Sequence, residues 1–187
     1  MNIRTLIRTQ SIITFAGGFI YPYYLLFLKN LGNSYTKYGL AFAVFTISSA
    51  VASQLLSRYV DRHARGLLLG SSLGLMAAML CFPWVMSYSV VIALQIVMGV
   101  CNAMQRMGEK VLLADKTEAG QRGKPIGDYH FWTTAASGGA ILAAGYVIDY
   151  LTINVLFYVS ALLYGISAVL IWRRRVSGRR GEYGIYL

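Results

Sequence analysis

Arg106 and Glu109 are the two residues whose type and placement point most directly to chemistry. They close a stretch of 40 residues, 66–105, that holds no Asp, Glu, Lys or Arg. Three positions apart on a helix, they share one face and can pair. Gln95, Asn102 and Gln105 precede them, and positions 95, 102 and 106 are spaced by seven and four. That spacing lines them up as one polar stripe. A polar stripe on an otherwise apolar helix lines a cavity or bonds to another helix, since lipid cannot satisfy it. For Arg106 the alternative is a plain one: its long side chain reaches to the water boundary.

Catalytic patterns are missing. The two histidines, His63 and His130, stand apart from any HExxH zinc pattern. Ser137-Gly138 lies in a small-residue run, but no His follows that could serve as its base. There is no glycine loop with a following Lys that would cradle a phosphate. The expectation is no catalytic residue, no metal and no cofactor. Cys81 and Cys101 both fall in apolar runs and read as small packing residues rather than a disulfide.

The elements that must hold the stripe are visible in the charge distribution. The 187 residues are 57% hydrophobic and 13% charged, with a formal net charge of +10. Soluble domains carry about 25% charged residues. Uncharged runs of 20 residues separate Arg8 from Lys29, Lys37 from Arg58, and Asp128 from Asp149, and one of 23 separates Asp149 from Arg173. A membrane-spanning helix needs about 20 apolar residues. Counting the run of 40 as two, six spans are expected, at roughly 10–29, 38–57, 66–86, 90–113, 129–149 and 153–172. A soluble nucleic-acid-binding domain is excluded, and the lipid bilayer is the expected surrounding.

The cations lie mostly on one side. Arg4, Arg8, Arg58, Arg62, Arg65, Lys110, Lys116, Arg122, Lys124, Arg173, Arg174, Arg175, Arg179 and Arg180 fall on one face of the six spans, and Lys29 and Lys37 on the other. This bias places both termini in the cytoplasm, in the cell membrane, and argues against dual topology. The domain reading is a six-helix transmembrane unit, 1–172, and a basic cytoplasmic tail, 173–187.

Two local features stand out within the spans. Gly17, Gly18 and Pro22 interrupt the first, where a proline removes a backbone hydrogen bond. Broken helices line transporter sites, so Phe19 and Pro22 join the cavity candidates, while Tyr23 and Tyr24 read as interface anchors. Gly66, Gly70 and Gly74 on the third span, and Ala135, Gly139 and Ala143 on the fifth, recur every four residues and read as surfaces of close helix packing.

The turn after the second span reads Ser57-Arg58-Tyr59-Val60-Asp61-Arg62-His63-Ala64-Arg65. It resembles the Gly-x-x-x-Asp-Arg-x-Gly-Arg signature of the major facilitator superfamily of secondary transporters, with Asp61, Arg62 and Arg65 matching and Ser57 and Ala64 replacing the glycines. Leu31-Gly32-Asn33-Ser34 is similar to the family's first outer loop. Asp115, with Arg122-Gly123-Lys124 and Gly127, is similar to its loop between helices four and five. The run Ala136 to Gly145 resembles the glycine-rich motif of drug-exporting members without its proline, and Gln95 stands where their fourth helix has Arg.

The resemblance implies an all-α membrane protein, six transmembrane helices forming one half of a fold that normally has twelve, each half built as 3+3 inverted repeats. It implies a secondary active transporter of small solutes by alternating access, with drug efflux among the family's activities. It also implies a gating cluster in which Asp61, with Arg58, Arg62 and Arg65, latches the cytoplasmic side, joined by Asp115 and Arg122. With no acidic residue in the first three spans, Glu109 is the candidate for proton coupling. Half a fold would expose its polar stripe, so a parallel homodimer or a separately encoded second half is expected. The competing readings are a non-transporting membrane module and a truncated, inactive remnant.

Overall fold

A computed structural model of the chain describes residues 3–24, 27–28, 34–117 and 122–182, the last nine by backbone alone. Lys29, the Leu31-Gly32-Asn33 segment, and the side chains of Arg174, Arg175, Arg179 and Arg180 lie outside the described residues. Among those described there are six α-helices and no strand: α1 Ile3–Ile20, α2 Tyr35–Leu56, α3 Val60–Cys81, α4 Tyr88–Ala114, α5 Gly123–Tyr150 and α6 Ile153–Glu182. A short 3-10 turn, Phe82–Trp84, ends α3 at Pro83.

Five of these helices are long and apolar enough to cross a membrane: α2, α3 with its 3-10 turn, α4, α5, and α6 up to Arg173. The first does not qualify within its described range. Arg4 and Arg8 occupy its first two turns, and its apolar continuation is cut by a turn at residues 21–23. The expected first span, 10–29, is therefore a broken helix. The break also falls elsewhere than the glycine pair. Helix continues through Gly17 and Gly18, and Tyr21 still donates to the Gly17 carbonyl at 2.9 Å. Pro22 has no N–H to give, and Tyr23 turns back to the Ile20 carbonyl at 2.9 Å. Beyond the turn, Tyr24, Phe27 and Leu28 have helical backbone.

Two packing groups make up the bundle. In one, α1 lies against α5 and α6; in the other, α4 lies against α2 and α3; the α3–α6 contact joins them. Exchanging α1 with α4, α2 with α5 and α3 with α6 leaves this set of pairings unchanged. The larger apolar core holds Phe27, Phe82 and Phe157, with the rings of Phe82 and Phe157 stacked at 5.0 Å. A second core, with Leu6, Leu68, Leu112 and Ile171, fills the opposite end.

Glycines set the spacing on α4. A Cβ on Gly99 would lie 2.5 Å from the Phe45 carbonyl of α2, and one on Gly108 would lie 2.8 Å from the Ala64 carbonyl of α3. Only glycine admits backbones this close. The small-residue stripes divide. Gly70 and Gly74 do pack on α4, against Met104 and Cys101, whereas Gly66 meets nothing. On α5 the packed face is a different one. Ala140 and Ala144 are fully buried, and Ser137 and Ala140 meet Gly18 of α1. Gly138 and Gly139 have nothing within 4 Å of where a Cβ would be, and Ala135 is exposed. Ala135 and Gly139 are thus uncovered among the described residues, whereas Ala143 of the same stripe is half-buried against the core.

Candidate functional site

The helices enclose one side of a cavity of about 980 Å³. Its wall takes residues from all six helices, and α4 contributes the polar part: Gln95, Asn102, Gln105, Arg106, Glu109 and Lys110. From Gln95 to Lys110 this stripe climbs about 22 Å along the helix axis, most of the depth of a bilayer. Gln95 is buried and its amide donates to the Tyr24 hydroxyl. Asn102 donates from Nδ2 to Ser49 Oγ on α2 at 2.9 Å. Arg106 and Lys110 are exposed into the open space, and Glu109 is half-buried beside them, with Tyr129 of α5 next to its carboxyl.

Gln95 and Asn102 bond between elements and line the cavity at once, while Arg106 faces it without being buried. Pro22 lines the cavity, at the turn that breaks α1. Phe19 does not: it is buried in the apolar core and its ring stacks on Phe15 at 5.7 Å. Tyr24 is an internal group and not an interface anchor, being 9% exposed and set edge-on against Phe82 at 5.7 Å. Ser49 and Tyr24 are the partners that sequence spacing does not single out, since a Ser in an apolar run carries no periodic signal.

The six signature residues lie away from the cavity wall. Asp61 sits in the first turn of α3, where free backbone N–H groups favour a carboxylate. Arg58, Asp61 and Arg62 are exposed and Arg65 is half-buried. Asp115 follows the end of α4, and Arg122 precedes α5, both exposed. The Ala64–Gly108 approach sets the start of α3 against the end of α4, so Asp61 and Asp115 share one end of the bundle. His63, next to Arg62 in the signature, departs from helical geometry at φ −124° and ψ 16°, which kinks the first turn of α3.

Residues 9–183 match the Major Facilitator Superfamily. The chain belongs to this family of transporters. It is also 41% identical over 160 residues to an uncharacterized MFS-type transporter, YitZ, of Bacillus subtilis (strain 168). That match covers 85% of this chain and 98% of the relative. With five apolar helices of spanning length, this superfamily member is an integral membrane protein.

Proposed function

We propose that the chain is one half of a secondary active transporter, completed by a second copy in the same orientation, and that it moves a small solute by alternating access through the cavity. The observation that carries this reading is the one-sided cavity beside α4. In a single chain its polar stripe would face lipid, which costs on the order of a few kcal/mol per unsatisfied group. A second half facing it removes that exposure. The helices flanking the opening are also the least covered. Within α2 only Ala41 and Ala52 are buried, and α5 leaves Gly138 and Gly139 open. The pairings that survive exchange of the first three helices with the last three support a 3+3 inverted repeat. Family halves are related by an axis along the membrane normal, which a parallel pair of identical chains satisfies. The one-sided distribution of Lys and Arg supports termini in the cytoplasm of a cell-membrane protein.

The signature cluster fits a cytoplasmic latch. Asp61 and the arginines around it lie at one end of the bundle, where they can meet the facing half when that end closes. Glu109, between Arg106 and Lys110 in the cavity wall, is the residue placed to couple a proton.

The test combines association and flux. Cys81 and Cys101 are replaced, and one cysteine is placed at Gly139 or Thr46. Cross-links between copies in the membrane, with saturable solute uptake into proteoliposomes, are the expected result. A monomer in mild detergent with no cross-link and no uptake would instead fit a non-transporting module.

A further inference from the structure

Resting on the transport reading, we propose that the cavity takes small organic anions, a single carboxylate on an apolar or aromatic body. Among the described residues lining the cavity, Arg106, Glu109 and Lys110 are the charged ones. Two cations and one carboxylate leave a surplus of one positive charge. Glu109 lies between both cations and beside Tyr129, so its charge is shared and cannot neutralise the pair. Two amides further along the stripe are engaged, Gln95 with Tyr24 and Asn102 with Ser49. Arg106 is left facing the open space.

A guanidinium presents a planar fork of donors that matches a carboxylate in two parallel hydrogen bonds. When the second half covers the cavity, water leaves and an unmatched cation becomes unfavourable. Each copy brings this surplus, and an anionic solute offsets part of it. A neutral solute leaves the surplus in place, and a cationic one adds to it. Towards the other end of the cavity the wall is aromatic. Tyr21, Phe42 and Phe45 line it there, with Tyr21 edge-on to Phe42 and Phe42 stacked on Phe45, both at 6.1 Å. The gradient from cation to ring faces suits a molecule with a charged head and a flat apolar body.

Three probes of one shape separate the possibilities: benzoate, benzamide and benzylamine, each titrated into the full chain in nanodiscs with heat or thermal stability as the readout. Benzoate is expected to bind saturably and more tightly than the other two. Arg106→Gln is expected to weaken benzoate roughly tenfold to a hundredfold, and Arg106→Lys to weaken it less. Should Arg106→Gln fail to fold, Lys110→Gln reads the same surplus and is expected to weaken benzoate as well. Equal or tighter binding of benzamide or benzylamine overturns the inference, as does unchanged benzoate affinity in folded Arg106→Gln, or no binding by any probe. Benzoate binding without flux would uphold this inference and remove the transport reading. Saturable flux of a cation without benzoate binding would do the reverse.

Discussion

Asn102 of α4 donates to Ser49 of α2 across 2.9 Å, at the level where the cavity is walled by those two helices. The bond fixes the side of α4 that faces the cavity. Interhelical side-chain bonds in membranes contribute about 0.6 kcal/mol on average and up to about 1.7. Asn102→Ala and Ser49→Ala are each expected to lower stability within that range. The double variant should lose little more than either single change, which unfolding in detergent would measure. Additive losses would mean that the two side chains act independently.

Close approach on α4 depends on glycine at two positions. Gly99→Val is expected to push α2 away and destabilise the fold by about 1–3 kcal/mol through overpacking. A Cβ on Gly139 of α5 meets nothing within 4 Å among the described residues, so Gly139→Val has room there. It should leave the single chain as stable as before and weaken association between copies. Thermal unfolding and cross-linking yield, measured on both variants, distinguish a contact inside the chain from one across a dimer.

Asp61→Asn keeps the size of the side chain and removes its charge. Insertion and helix content should be unchanged, because the residue is exposed at the first turn of α3. Solute flux should fall. Equal flux for the variant and the parent protein would remove Asp61 from the latch.

Gln10 on α1 is fully buried, and neither amide atom has a hydrogen-bond partner among the described residues. Replacing a buried unsatisfied polar group with an apolar one of similar shape is neutral or stabilising. Gln10→Met is expected to match the parent or exceed it by about 1 kcal/mol in a denaturant titration. A loss of stability would show that the amide is engaged in the membrane.

Charge-free runs of about 20 residues make the apolar helices legible in the sequence, because lipid thickness leaves that length little freedom. The α4 stripe is legible too, since Gln95, Asn102 and Arg106 fall at helical spacing. The break in α1 is harder to place. Glycine weakens a helix in isolation, but Gly17 and Gly18 are held by their neighbours, and only Pro22 lacks the donor that continuity requires. Phe19 escapes the sequence pattern for a related reason: periodicity gives a face, and which neighbour covers it depends on packing. The same limit hides the covered face of α5. Its 135/139/143 and 137/140/144 rows are both small-residue rows, and tertiary contact alone makes Ala140 and Ala144 of the second the fully buried pair.

Adjacent residues at the break in α1 are fastened in different directions. Tyr23 donates to the Ile141 carbonyl of α5 at 3.2 Å, and Tyr24 accepts from Gln95 of α4. The two helices belong to opposite packing groups. Any rocking of one group against the other is therefore felt within a single peptide unit, at a place where the helix has already given up its regular ladder.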